Sequence, residues 1–383
     1  MKLFTLTIIG AFFSWCILLL PDLTIVTTTS SKSKKIAINK PQKTGVTDSF
    51  NLYSINLTAW NKILKKIDSD SNFKPSKLFN YDWKRLQQFK LNRIHNFKDT
   101  ALPYSNHCKK ILYPFSGPDF LFASSFFESN AVQYDLIGLE PCGSFNLSEK
   151  DSIPNTLNYE YITQLYRSLN CITRFSFFRT LSMENELNSS YINGTLHGLI
   201  YLIFKQGGNP ISYTYFKLND AGQIKYTKSE SYGLELTFKN QLQKKCTLRY
   251  ISTNLENTSI EQNKGLLNYL SKGMYDVCYL KGASYLLHTP LFSMFKNLIL
   301  THSNAVLQDD SGLPIAAFLN STQPWKIQLF GSYHKPISLF KNKYQKDLDS
   351  LYKNSKPLPL GFGLGYNFKD QNSALIFAEK IKH

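Results

Sequence analysis

The sequence predicts an α/β or α+β fold: one large domain, built on a mixed sheet with helical cover, which follows an apolar amino-terminal leader. Helix-like and strand-like patterns alternate along the chain from about residue 110 onward. Hydrophobic residues make up 43% of the 383 residues and charged residues 19%, which suffices for a sizeable core and excludes a wholly disordered chain. The sequence contains no repeat of fixed period, which argues against a solenoid.

The leader is the apolar run from Leu3 to Leu20, which is closed by Pro21. The run is long for the apolar part of a signal peptide and just long enough to cross a membrane. We therefore expect residues 1–21 to be a signal peptide or a signal anchor. The body is then extracytoplasmic (periplasmic or secreted), or anchored in the inner membrane by residues 3–20. Three lysines just beyond the run resist translocation: Lys32, Lys34 and Lys35.

Residues 22–50 are rich in Thr, Ser and Lys, as is typical of a linker. Residues 51–105 are predicted as a basic helical segment, in which amphipathic helices around Trp60 and Trp83 pack on the body. Between residues 32 and 110 the chain carries 17 basic and 5 acidic side chains, an excess that favours contact with an anionic membrane surface. Only 6 of the 44 basic residues are Arg, which argues against nucleic-acid binding.

Residues 106–383 are predicted as the α/β body, which begins with a strand from Ile111 to Phe115, a turn, and a helix from Phe120 to Phe127. A second strand covers 134–139 and ends in an acid, Glu140. Further strands are expected at 211–216, 233–238, 246–252, 305–307 and 328–330, and helices at 159–187, 266–270, 291–300 and 338–352. The apolar segment 194–204 fits a helix or a strand equally well.

Six cysteines are present, and no two of them form a C-x-x-C pair, which excludes a zinc ribbon and a thioredoxin-type motif. One or two disulfides would form in an oxidising compartment, and buried free thiols are the alternative. The cysteines that lie beyond the leader are Cys108, Cys142, Cys171, Cys246 and Cys278.

Four sequence blocks stand out together: YPFSGPDF at 113–120, GLEP at 138–141, ASYLLH at 283–288 and LQDDSG at 307–312. In this order they resemble an uncharacterised family of bacterial proteins, many of which carry an amino-terminal signal or anchor. The resemblance extends from about Trp60 to the end of the chain. It implies a bacterial origin and export, and it assigns no catalytic residue.

The candidate catalytic residues are polar groups in loops or at the ends of elements, where a scaffold usually presents functional side chains. They are Asp119, Glu140, His288, Asp309 and Asp310. Two carboxylates with a histidine suit general acid–base hydrolysis or a hard divalent cation, although no metal ligand is assigned. Ordinary turn chemistry explains the Asp309–Gly312 block equally well. The leading hypothesis is a cell-envelope binding protein, or a hydrolase without a recognisable motif, whose ligand and cofactor are unknown.

An alternative rests on residues 111–140, whose order of strand, glycine-containing turn, helix and strand ending in an acid resembles Rossmann-type methyltransferases. In that comparison Ser116 and Gly117 would bind the cofactor, with Asp119 in the same turn, and Glu140 would bind ribose hydroxyls. The turn departs from the family pattern because it has a single glycine, and because Pro118 lacks an N–H group. A third hypothesis is a non-enzymatic interaction protein that uses the basic helices.

Overall fold

The computed structural model describes residues 55–69, 74–102, 107–144, 155–175, 187 and 192–381. The predicted leader, the linker at 22–50 and Cys16 lie outside these residues. Within the part of the chain that is described, no helix combines the length and the apolar character needed to cross a membrane.

The described residues contain eleven strands, numbered in chain order. They are β1 (Ile55–Asn56), β2 (Lys110–Pro114), β3 (Gln133–Gly138), β4 (Asn209–Leu218), β5 (Ile224–Thr227), β6 (Gly233–Lys239), β7 (Lys245–Ser252), β8 (Tyr275–Leu280), β9 (Ser303–Gln308), β10 (Trp325–Phe330) and β11 (Leu375–Lys380).

The α-helices of the described residues are α1 (Thr58–Ser69), α2 (Lys74–Leu86), α3 (Asn92–Ala101), α4 (Phe120–Phe127), α5 (Asn155–Phe175), α6 (Leu196–Lys205), α7 (Asn257–Gln262), α8 (Lys264–Ser271), α9 (Ser293–His302), α10 (Ile315–Leu319) and α11 (Lys346–Asn354). A π-helical turn, Gln87–Leu91, joins α2 to α3. Short 3₁₀ turns cover Leu286–His288, Pro290–Phe292, Ser338–Lys343 and Gly365–Asn367.

All these strands belong to one mixed sheet in the order β1-β4-β6-β7-β3-β2-β8-β9-β11-β10, with β5 paired to β4. The five central strands β7, β3, β2, β8 and β9 are parallel. Strand β11 is antiparallel to both of its neighbours, so β10 runs in the same direction as β9. Because β3 lies on one side of β2 and β8 on the other, the strand order reverses at β2. Open α/β sheets bind ligands at the carboxyl ends of the strands beside such a reversal.

Helices cover both faces of the sheet. Neighbouring side chains of one strand point to opposite faces, and they enter two different hydrophobic cores. In β2, Ile111 and Tyr113 join the core under helices α1–α6, whereas Leu112 joins the core under helices α7–α11. In β8, Tyr279 and Cys278 divide in the same way. The predicted α/β class, a mixed sheet with helical cover in one large domain, is therefore confirmed.

Most of the predicted elements of the body are found, with shifted ends. The segment at 194–204 is the helix α6, and α5 ends at Phe175 within the helix that was predicted over 159–187. The single long helix predicted over 338–352 is wrong: a 3₁₀ turn over Ser338–Lys343 precedes α11, because Phe340 leaves the helical region of backbone dihedrals. Strands β5, β8 and β11 were not predicted at all.

The predicted amphipathic helices of the basic segment pack on the body. Phe79, Trp83, Ile94 and Phe97 are buried in the core under the first face of the sheet. The ring of Phe97 makes an edge contact with Phe330 of β10, with centroids 4.8 Å apart. Removing this segment would therefore expose the core of the body.

The five described cysteines are buried and form no disulfide with one another: Cys108, Cys142, Cys171, Cys246 and Cys278. Burial raises the pKa of the thiols of Cys108, Cys142, Cys246 and Cys278, which leaves these sulfurs protonated. They act as small apolar side chains of the core.

A buried polar network lies on the second face of the sheet around Asp135 of β3, which is 0% exposed. Its carboxylate accepts hydrogen bonds from the hydroxyls of Tyr275 (2.7 Å) and Tyr269 (3.0 Å). The Arg249 guanidinium of β7 lies 4.0 Å from the same carboxylate and donates to Glu235 of β6 at 2.7 Å. Arg249 thus compensates two buried carboxylates on the strands at either side of β7.

We predict that Arg249→Met destabilises the protein by about 3–5 kcal/mol, because it leaves two buried acids without their cation. Urea unfolding followed by circular dichroism measures the change. Arg167→Met on the exposed side of α5 is the matched control and should change stability by less than about 0.5 kcal/mol. Equal effects of the two substitutions would contradict the assignment.

Candidate functional site

The carboxyl ends of β2 and β8 are joined by a buried ion pair. The Lys281 ammonium, which directly follows β8, lies 2.5 Å from Oδ2 of Asp119, and both side chains are at most 2% exposed. The Tyr113 hydroxyl donates to the same oxygen at 2.7 Å. Lys281 also sits 3.8 Å from the centre of the Phe122 ring. Burial lowers the pKa of Lys281, whereas the charges of Asp119 and Asp309 raise it.

Asp119 has a structural use in addition to this pair. It is the N-cap residue of α4, and its carboxylate accepts from the backbone N–H of Phe122 at 3.4 Å. The helix N-terminus carries a partial positive charge, and the carboxylate of Asp119 provides the negative group that stabilises it.

Asp309 follows β9, and both oxygens of its carboxylate already accept hydrogen bonds from the surrounding turns. Oδ2 accepts from the N–H of Gly282, and Oδ1 accepts from the N–H and the hydroxyl of Ser311. Gly365 packs so closely against Oδ2 that a Cβ there would collide with it. Burial raises the pKa of Asp309, and these hydrogen bonds act in the opposite direction.

Asp310 and His288 meet through one tyrosine. The Tyr285 hydroxyl donates to Oδ2 of Asp310 at 2.5 Å, and the Tyr285 ring stands perpendicular to the His288 ring with centroids 5.1 Å apart. Burial and the charge of Asp309 raise the pKa of Asp310 to about 7. Burial, together with Lys343, lowers the pKa of His288 to about 4. Nε2 of His288 is buried and has no hydrogen-bond partner among the described residues.

Glu140 is separate from the other predicted catalytic residues. Its side chain folds back over the end of β3, where the Tyr250 hydroxyl donates towards its backbone oxygen (2.8 Å) and Oε2 (3.2 Å). Burial raises the pKa of Glu140. Within the described part of the chain no ion pair involves this carboxylate. Four of the five residues thus lie in one region, since the charge of Asp309 acts on both Lys281 and Asp310. Glu140 lies apart from them.

The two predicted cofactor residues form a tight turn after β2. The Ser116 hydroxyl donates to the carbonyls of Gly117 (2.9 Å) and Ile137 (3.3 Å). Gly117 has a φ of +51°, and its Cα would lie 3.0 Å from a Cβ placed on Gly138. Glycine at both positions lets the turns after β2 and β3 approach each other closely.

Three non-glycine residues at these strand ends have positive φ angles, in the left-handed region: Phe115 after β2, and Ser284 and Tyr285 after β8. The Ser284 hydroxyl lies 2.5 Å from the hydroxyl of Tyr366, which also donates to the carbonyl of Gly282 at 3.1 Å. Strained backbone of this kind persists where the surroundings hold it, and it clusters at functional sites.

Lys281, Tyr285 and Tyr366 were missed as site residues. The signal for Lys281 is its position directly after the apolar stretch 275–280, whose identification as a strand would have pointed to it. No sequence pattern points to Tyr285 or Tyr366, whose roles become visible only in the folded structure. Among the described residues no group of three or more His, Cys, Asp or Glu side chains is arranged to hold a metal ion.

Comparison with known proteins identifies no relative, so the fold and the geometry of the site are the basis for proposing a function. No protein-family model, no curated protein and no solved structure matches the chain significantly. The resemblance of the four sequence blocks to an uncharacterised bacterial family therefore stays a prediction.

We predict that Asp310→Asn reduces the pH dependence of stability. An aspartate has a pKa of about 3.9 in the unfolded chain. The pKa of about 7 in the folded protein means that the folded state binds more protons between these values. Stability therefore decreases as the pH rises through this interval. Asn cannot ionise and still accepts from Tyr285, so the variant should lose less stability between pH 5 and pH 8.

Thermal and urea unfolding at these two pH values measure the difference. Asp347→Asn, at an exposed position of α11, is the control and should behave like the unmodified protein. A decline of the Asp310→Asn variant as steep as that of the unmodified protein would contradict the prediction.

Proposed function

We propose that the chain is a Rossmann-type methyltransferase, which binds a methyl-donor nucleoside at the carboxyl ends of β2 and β3. The observation that supports this proposal is the strand order. Numbered along the chain, β2, β3, β7, β8, β9, β10 and β11 lie in the order 3-2-1-4-5-7-6, with the seventh strand reversed. The first five follow the doubly wound order. A reversed last strand between the fifth and the sixth is typical of Rossmann-type methyltransferases; this is an analogy at the level of the fold.

The chemistry of the strand ends favours a nucleoside without phosphates. Asp119 already occupies the N-terminus of α4, where a dinucleotide's pyrophosphate would otherwise bind, and its charge would repel a phosphate. Glu140 offers a carboxylate without an ion-pair partner in the described residues, and ribose hydroxyls are donors that match it. Because Gly138 has no side chain, the Glu140 carboxylate, the Tyr250 hydroxyl and the backbone of Gly117 come close together at this point.

These features fit S-adenosylmethionine better than NAD or ATP, since its nucleoside carries no phosphate. When bound, it supplies an electrophilic methyl group to a nucleophilic acceptor. Glu140 would orient the ribose, and the Gly117 turn would let the backbone approach the ligand. Pro118 provides no N–H to this contact, so the turn contributes fewer hydrogen bonds than is usual for the class.

The hydrolase hypothesis receives less support from the geometry. Hydrolysis needs a carboxylate that is free to act on substrate or water. Asp119 is held by Lys281 and Tyr113, and Asp309 is held by Gly282 and Ser311. A catalytic role for these residues with Asp310 and His288 stays a prediction.

We also propose that residues 3–20 anchor the chain in the inner membrane with the body on the cytoplasmic side. Lys32, Lys34 and Lys35 follow the apolar run closely. Short flanking segments rich in lysine remain in the cytoplasm. This orientation places the body in the compartment where methyl-donor nucleosides are made, and it replaces the extracytoplasmic location as our working hypothesis.

We predict that S-adenosylmethionine and its demethylated product bind the full chain in isothermal titration calorimetry, and that ATP and NAD do not. Glu140→Ala should weaken binding at least tenfold, because a charge-assisted hydrogen bond contributes about 1.5–3 kcal/mol. Glu261→Ala, at an exposed position of α7, should bind as the unmodified chain does. The proposal fails if millimolar nucleoside gives neither heat nor a thermal shift, or if Glu140→Ala binds normally.

For the orientation, we predict that a carboxyl-terminal alkaline phosphatase fusion is inactive and a green fluorescent protein fusion is fluorescent. Replacing Lys32, Lys34 and Lys35 together with Gln should raise phosphatase activity, since the lysines retain this side in the cytoplasm. High phosphatase activity of the unmodified fusion would place the body outside the cytoplasm and contradict both proposals.

A further inference from the structure

A cleft of about 730 Å³ lies between the helical segment and a loop near the carboxyl terminus. One wall consists of α2, the π-helical turn and α3, and the other of residues 362–371. Its charged lining contains four basic side chains, Arg85, Lys90, Arg93 and Lys369, against two acids, Asp82 and Asp370. We refer to it as the basic cleft.

Two of the four cations are held in place by the opposite wall. The Lys90 ammonium donates to the carbonyl of Phe368 at 3.1 Å and lies 5.7 Å from the centre of the same ring. The Arg93 guanidinium donates to the carbonyl of Gly361 at 2.8 Å. These contacts fix the charged ends before any ligand arrives, which lowers the entropy cost of binding.

The backbone beneath Lys90 is unusual. Lys90 and Phe89 belong to the π-helical turn Gln87–Leu91, an irregularity that is rare in proteins and found frequently at functional sites. Phe89 is 54% exposed, and Tyr81, eight residues earlier on α2, is 62% exposed. Both side chains line the cleft. A basic cleft flanked by exposed aromatic rings offers both charge and an apolar surface.

We propose that the basic cleft binds a small organic phosphate monoester whose apolar or aromatic part lies against Phe89 and Tyr81. Four cations against two acids leave an excess of two positive charges, which matches a phosphate dianion. The guanidinium groups of Arg85 and Arg93 suit the oxygens of phosphate, to which Arg donates two parallel hydrogen bonds. Asp82 is engaged by the Tyr166 hydroxyl at 2.7 Å, which turns part of its acceptor capacity away from the ligand.

This proposal does not rest on methyl-donor binding, which is assigned to the ends of β2 and β3. Lys90 nevertheless lies near enough to the sheet to sense Lys281. Burial and the charge of Lys281 lower the pKa of Lys90 to about 7. The other charged side chains that line the cleft are Asp82, Arg85 and Arg93 on the helical wall, and Lys369 and Asp370 on the loop. A bound dianion favours the charged amine, so binding should take up protons at neutral pH.

The experiment is a titration of the full chain with phenyl phosphate, inorganic phosphate and phenol in 50 mM salt, in two buffers that differ in ionisation enthalpy. We expect phenyl phosphate to bind at least tenfold more tightly than inorganic phosphate, phenol not to bind, and protons to be taken up. Lys90→Met and Arg85→Met should each weaken binding at least tenfold. Lys326→Met, an exposed lysine on β10, is the matched control and should leave binding unchanged.

Arg85 is exposed, so its replacement should leave the fold intact even where Lys90→Met unfolds the cleft. Absence of binding to the unmodified chain, or equal weakening by Lys326→Met, would overturn the proposal. Equal affinities for phenyl phosphate and inorganic phosphate would overturn the role of Phe89 and Tyr81. Glu140→Ala should still bind phenyl phosphate, and Arg85→Met should still bind S-adenosylmethionine, so that each proposal can fail separately.

Discussion

The buried ion pair between Asp119 and Lys281 is the contact on which the site depends. An unpaired charge at such a depth costs several kcal/mol, so either residue is tolerated only in the presence of the other. Asp119 caps α4 and Lys281 directly follows β8, and the pair therefore fixes where the chain leaves β2 and β8 at the reversal of the strand order. Such a pair contributes little net stability compared with apolar packing, and its value lies in specifying one arrangement.

The turns after β8 and β9 are joined by hydrogen bonds next to this ion pair. Gly282, the residue after Lys281, donates its N–H to Asp309, and its carbonyl accepts from Tyr366. Asp309 is thereby tied to β8 as well as to its own turn. Because these acids serve the backbone, less of their acceptor capacity is left for a ligand. Glu140 accepts from Tyr250 and has no ion-pair partner among the described residues, which supports the proposed binding of ribose hydroxyls at this strand end.

The sequence contained enough information for the α/β class and for most elements of the body, because the strands alternate between two cores and the turns carry Gly, Pro and Asp. It did not reveal β8, whose residues Tyr275 to Leu280 are almost all buried and therefore lack a polar alternation. Lys281 was missed for the same reason. The positions of Asp119, Asp309 and Glu140 at strand ends were predictable, whereas their partners depend on the strand order. Strand order is a property of long-range pairing that local patterns do not encode.

The loop near the carboxyl terminus connects the ion-paired strand ends to the basic cleft. Gly365 must lack a side chain because Asp309 lies against it, and Tyr366 binds Gly282 and Ser284 directly afterwards. Two residues further, the carbonyl of Phe368 accepts from Lys90. The position of Lys90 is consequently fixed through three successive contacts to the end of β9, in addition to its own helical turn. The loop near the carboxyl terminus therefore contacts both Asp309 at the strand ends and Lys90 in the cleft, so one segment borders the two regions.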